Sequence, residues 1–189
     1  MHKWLAAWLL VVALEVRAYG ATCLGIPFPE TLQATGTPLV LNGLGLRKAY
    51  VFVKVYVAGL YLPQKTNQSA QILRDDMPRT LLIRLVRDVT QKELIDAWTK
   101  GFEDNAPDLW PHLKTRIDKI KSALPPQLNE GDTFQFVYQP GKWTEIRRNG
   151  RLAIELDGTD FARALFSIYV GPKPPNESLK TGLLGGACE

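Results

Sequence analysis

The chain has 189 residues, 46% of them hydrophobic, with 23 Lys and Arg against 19 Asp and Glu and a formal net charge of +4. The positive excess is thin, and no Lys/Arg tract is interleaved with aromatics, which argues against a nucleic-acid partner. With 2 histidines and 2 cysteines, neither a His/Cys metal cluster nor a Ser-His or Cys-His nucleophilic pair is expected.

The first segment reads as a leader. Met1-His2-Lys3 is a short positive start, Trp4 to Leu14 is apolar, and Ala18-Tyr19-Gly20 offers small residues for cleavage. This pattern is a secretory signal peptide over 1–20, too short for a stable membrane span. No second apolar stretch approaches the length of a membrane helix, so stable membrane insertion is not expected. The remainder, 21–189, reads as one domain in a periplasmic or secreted setting. Cys23 and Cys188 stand at its two ends. In an oxidising compartment they can pair, and in the chain-entropy model so long a loop is worth roughly 4–5 kcal/mol. The sequence alone leaves a disulfide or two free thiols open.

Strands are predicted near Leu32–Leu41 and Val51–Leu62, with Asn42-Gly43 and the Gly-Leu-Gly run after it as turns between them. In the second strand, alternation puts Phe52, Lys54, Tyr56 and Ala58 on one face and the valines on the other. Ser69–Arg74 reads as a short helix and Arg79–Val86 as a strand. Thr90 and Glu93 have capping-box spacing, opening a helix whose apolar stripe is Leu94, Ala97, Trp98 and Phe102. A second helix runs from Leu109 to Leu124, stopped by Pro125-Pro126. It begins beside His112, which reads as a surface residue. Three short strands follow, Thr133–Tyr138, Trp143–Arg148 and Leu152–Leu156, parted by Pro-Gly and Asn-Gly turns. Asp160–Tyr169 is a last amphipathic helix, with a short tail helix around Glu177–Leu184. Strands flanking a helical middle indicate an α+β fold, one mostly antiparallel sheet with a layer of helices.

The chemistry concentrates in Leu39–Leu62, where Arg47 and Tyr56 interrupt strand-like apolar sequence. A guanidinium and a phenol on neighbouring strands can together hold an anionic oxygen. The plainer alternative is an arginine at a wet strand end and a tyrosine half in the core. Gly43, Gly45 and Gly59 do not open a helix as a phosphate loop would, so no cofactor is expected.

Ile26-Pro27-Phe28-Pro29, Thr35-Gly36, LVLNGLGLR (39–47), VKVYVAGLYLP (53–63) and the tail from Gly158 to Gly185 resemble the chalcone isomerase superfamily, in particular its bacterial exported, chalcone isomerase-like members. The resemblance implies an open-faced β-sandwich, a large antiparallel sheet with a layer of helices. Aligned on the catalytic branch, Arg47 matches the arginine that stabilises the oxyanion. The family's catalytic threonine, however, falls on Tyr56, its tyrosine near Leu94, its asparagine near Gly101 and its late threonine or serine near Ile168. A shift of one turn would bring in Thr99 or Ser167. Arg47 with Tyr56 is similar instead to the fatty-acid-binding branch, in which that pair grips a carboxylate. Leu94, Trp98 and Ile168, joined by Phe52, Ala58 and Leu165, then become candidates for lining the acyl chain.

The expectation is therefore a periplasmic, non-catalytic protein that binds a fatty acid or similar apolar carboxylate, with Arg47 as anchor and Tyr56 as second donor. The alternatives are an intramolecular lyase on a phenolic substrate, in which Arg47 stabilises the oxyanion, and an envelope protein with a filled core and no ligand.

Overall fold

In the computed structural model the described residues are 19–33, 36–50 and 52–189. The predicted leader thus falls, up to residue 18, outside the described residues.

The elements in chain order are β1 (Tyr19–Cys23), β2 (Ile26–Pro29), β3 (Thr31–Leu32), β4 (Leu39–Ala49), β5 (Val53–Leu62), α1 (Ser69–Arg74), β6 (Arg79–Leu85), β7 (Val89–Thr90), α2 (Gln91–Asn105), α3 (Trp110–Ala123), β8 (Gln127–Leu128), β9 (Thr133–Tyr138), β10 (Trp143–Arg148), β11 (Arg151–Asp157), α4 (Thr159–Val170) and α5 (Glu177–Leu183). Seven strands form one sheet in the order β11-β10-β9-β6-β5-β4-β3, and every neighbouring pair is antiparallel. This is the α+β arrangement expected from the sequence.

Alternation divides each central strand between two cores. Ala58, Leu60 and Leu62 of β5 face the helices, where they join Leu81, Ile83, Phe134, Phe136 and the buried sides of α2, α3 and α4. Val57 and Tyr61 face the other way, into a smaller cluster with Leu44, Leu46 and Phe28 beneath the β1–β2 hairpin. The helices are fixed by local chemistry. Thr90 caps α2, its hydroxyl accepting from Glu93 N at 3.2 Å while Glu93 accepts from Thr90 N at 2.7 Å, and these bonds hold the Glu93 carboxyl below its ordinary pKa. Leu94, Trp98, Gly101 and Phe102 form the buried face of α2. Ala97, expected in that stripe, is exposed, because Gly101 takes the inner position and meets α4 closely. A Cβ there would lie 2.7 Å from Ile168.

Two further predicted features are corrected. Asn42-Gly43 and Gly-Leu-Gly are not turns. They lie inside β4, which runs through them to Ala49. The reason is helix α5, whose backbone lies directly on the strand. A Cβ on Gly43 would stand 2.2 Å from the Gly182 carbonyl oxygen, one on Gly45 2.3 Å from that of Leu179, and one on Gly182 2.2 Å from that of Leu44. These glycines serve close approach rather than chain reversal. Asn42 is buried and seals the same contact, donating to Leu183 O at 2.7 Å and accepting from Thr66 N at 2.8 Å. The second correction is Phe52. It sits at the outer tip of the β4–β5 hairpin, 86% exposed, and so lines nothing in the interior.

Cys23 and Cys188 are joined in a disulfide, with Cα atoms 5.9 Å apart. The bond ties the segment after α5 to β1, so α5 is held at the strand by packing and behind it by a covalent link.

Two measurements check this arrangement. Gly45→Val forces a side chain into the α5 backbone and is expected to cost about 2–3 kcal/mol, lowering Tm by about 5–10 °C in thermal denaturation. An unchanged Tm would mean that α5 does not rest on β4. Reduction of the disulfide is expected to lower Tm by about 5–15 °C, and the Cys188→Ser variant should match the reduced protein.

Candidate functional site

Arg47 is placed by the same glycine-bearing strip. Gly43, Gly45 and Arg47 follow at intervals of two and pair across to Leu60, Ala58 and Tyr56. All therefore look toward the helical layer. Where α5 begins, the clearance ends and Arg47 takes the next position on that face. Arg47 is half-buried as a residue. It donates to the Lys48 carbonyl and, at 3.4 Å, to Oδ1 of Asn176.

Asn176, the residue preceding α5, is a clamp that the sequence did not reveal. Its Nδ2 donates to Leu46 O at 3.2 Å and its Oδ1 accepts from Lys48 N at 3.3 Å. It thus bridges the strand where the β4–β5 register shifts between Arg47 and Lys48. The only signal was an Asn in helix N-cap position after a Pro-rich segment.

Tyr56 stands opposite Arg47 in the register, and no hydrogen bond among the described residues engages its hydroxyl. Burial raises its pKa above the ordinary tyrosine value, with the Arg47 charge pulling the other way, so the phenol stays protonated and able to donate. Tyr169, near the end of α4, is close enough for the two phenols to influence each other. Burial raises the Tyr169 pKa, and the Tyr56 hydroxyl adds to the rise. Its oxygen accepts from Trp98 Nε1 at 3.1 Å, which leaves its own proton to donate. Sequence reading took Tyr169 only as the end of a helix.

The cluster is thus one guanidinium, two neutral phenols and an indole N–H, with donors in excess. Arg47 makes no ion pair among the described residues. Arg79 shows the contrast. It is 1% exposed, and its guanidinium lies 5.1 Å from the Tyr138 ring centroid and 5.0 Å from that of Phe166. It donates to the Ile72 carbonyl at α1. Burial lowers its pKa to about 10, against the opposing pull of Tyr138 and Asp76. Arg79 is a cation engaged by the fold, whereas Arg47 is a cation beside an apolar layer with spare donors around it.

The other predicted lining residues are all in the helix-side core. Leu94 is 9% exposed, Trp98 4%, Leu165 1%, Ile168 1% and Ala58 0%. Of these, Trp98 reaches the polar cluster through Tyr169. Thr99 is half-buried, and the Ser167 hydroxyl donates to Ala164 O at 2.7 Å within its own helix. Two cavities stand out. One, of about 370 Å³, lies between β1, β4 and the tail around Gly185. The other, of about 270 Å³, lies between α1, the α2–α3 corner and α4. Neither is lined by Arg47 or Tyr56. No group of three or more His, Cys, Asp or Glu among the described residues could hold a metal ion.

No curated protein sequence matches the chain. Among solved structures, a fatty-acid binding protein of Arabidopsis thaliana is similar to it with a TM-score of 0.67 and 15% sequence identity, over 85% of this chain and 92% of that one. At that identity the likeness shows the fold alone. Residues 20–185, from β1 to just past α5, match the family described as Chalcone isomerase-like, and the chain belongs to that family.

Proposed function

We propose that this protein binds a fatty acid or a similar apolar carboxylate without transforming it. The observation that carries the reading is the donor-rich cluster at Arg47, a half-buried arginine with no carboxylate partner among the described residues, opposite a protonated phenol. A partly desolvated cation with neutral donors beside it is complementary to an anionic oxygen. The similar fold of the Arabidopsis fatty-acid binding protein is consistent with this role.

In this reading Arg47 holds the carboxylate and Tyr56 donates a second hydrogen bond. Tyr169, steered by Trp98, lies within reach as a third donor. The acyl chain then runs between the sheet and α2/α4, where Leu94, Trp98 and Ile168 stand. Those side chains pack as core, so the chain is accommodated by parting the helical layer from β5. The isomerase alternative has less support. The positions that would carry its donors are Leu94, Gly101 and Ile168, and the last two press against each other.

Export belongs to the same proposal. The Cys23–Cys188 disulfide suits an oxidising compartment such as the bacterial periplasm. Leader cleavage after Ala18 would leave β1, which starts at Tyr19, whole.

Calorimetric titration of the mature protein with palmitate tests the reading. Saturable binding is expected for wild type, about tenfold weaker binding for Arg47→Lys because the planar fork is lost, and a loss of about tenfold or more for Tyr56→Phe. Equal affinity for wild type and Arg47→Lys would remove Arg47 from the anchor role. Cyclisation of a model chalcone above the spontaneous rate, lost in Arg47→Ala, would instead establish the isomerase.

A further inference from the structure

The β4–β5 hairpin continues past the rest of the sheet. On one side the bonding of β6 to β5 ends with Val86 N on Val55 O, just past the Tyr56–Leu85 pair, and on the other the bonds to β4 from β3 and Glu30 lie at Leu39, Val40 and Leu41. Beyond Arg47 and Tyr56, the pairs Lys48–Lys54 and Ala49–Val53 have no third strand beside them, though Asn176 still bonds Lys48 N.

At the end of this projection Tyr50 is 91% exposed, Phe52 86% and Val53 41%. The other large apolar side chains exposed among the described residues, Leu24 and Leu152, stand singly elsewhere. Tyr50 also takes a positive φ of 45°, a conformation usually given to Gly, Asn or Asp. A bulky aromatic is therefore kept at a turn that disfavours it, and the ring packs on nothing in the fold.

Below the rings, Lys48 and Lys54 face each other across the hairpin. Neither makes an ion pair among the described residues. Like charges in direct opposition are unfavourable in a hairpin. Lysines on exposed strands discourage edge-to-edge pairing, but that role does not account for two aromatic rings held in water ahead of them.

Aromatic rings at the tip with ammonium groups one step behind match the layering of a bilayer surface. There Tyr and Phe settle among the glycerol and upper acyl regions while lysines meet anionic headgroups. We propose that the β4–β5 hairpin tip docks this protein on an anionic lipid bilayer, with Tyr50 and Phe52 seated in the interface and Lys48 and Lys54 on the headgroups. The tip leads directly back to Arg47 and Tyr56, the next pair down the same two strands. A role in passing a carboxylate between bilayer and protein rests on the ligand reading above, whereas the docking itself does not.

Flotation of the mature protein with vesicles tests this. The vesicles are phosphatidylcholine alone or mixed with phosphatidylglycerol, and the proteins are wild type, Tyr50→Ser/Phe52→Ser and Lys48→Glu/Lys54→Glu. Wild type should float with the anionic vesicles, less with neutral ones, and less as salt is raised. Each double variant should lose about tenfold in vesicle affinity with Tm little changed, because Tyr50, Phe52 and Lys54 are exposed and the half-buried Lys48 side chain makes no ion pair among the described residues. Failure of wild type to float with anionic vesicles would overturn the proposal, and so would equal flotation of the variants. Tyr50- and Phe52-dependent dimers in sedimentation, without flotation, would assign the tip to a second copy of the chain. Flotation is scored without added fatty acid, so its failure leaves the carboxylate reading standing, and failure of palmitate titration leaves the docking result standing.

Discussion

Helix α5 lies with its backbone directly against that of β4. A helix can lie this close to a strand only where both lack side chains, and Gly43, Gly45 and Gly182 provide that clearance. The contact fixes where α5 starts, and so where Asn176 meets the strand. It also sets where the strip without side chains ends and the first side chain on that face, Arg47, emerges. The Cys23–Cys188 bond secures the segment after α5 to the opposite face of the sheet. Packing, register and covalent closure thus converge on the position of one guanidinium.

Arg79 and Arg47 illustrate how a fold treats a cation it needs and one it holds in reserve. Arg79 is surrounded by ring faces and by the carbonyls of α1, with Asp76 near enough to support its charge. Arg47 has a carbonyl and an asparagine oxygen at its Nη1 but no carboxylate among the described residues. Tyr56 and Tyr169, both kept protonated by burial, add donors to the same neighbourhood. An excess of donors at the edge of an apolar layer is the chemical complement of a carboxylate with an apolar tail, and this links the local geometry to the proposed function.

Much of this was legible in the sequence, and the gaps have physical causes. The order of the helices and main strands and the α+β class followed from periodicity and caps, because the α2 capping box at Thr90 and the Asn149-Gly150 turn are local signals, whereas the short β1–β2 and β7–β8 pairs carry none. Arg47 and Tyr56 stood out because polar groups inside apolar strands are conspicuous. The Gly-Leu-Gly run was misread as a turn because glycine signals a need for space without saying whether the chain is reversing or another backbone is approaching. The helix that needs the space lies more than a hundred residues away. Phe52 was placed inside because alternation gives the face of a strand but not where the sheet around it stops. Asn176, Tyr169 and Arg79 were missed because each acquires its meaning from partners brought together only by the tertiary fold.

The proposed role of Arg47 is to hold the carboxylate of an apolar ligand. Mass spectrometry of small molecules extracted from the purified mature protein, with Arg47→Ala purified in parallel, tests it most directly. Wild type should yield a fatty acid or related carboxylate near one per chain, and the variant none. Empty extracts from both proteins, or the same ligand at equal yield from both, would contradict it.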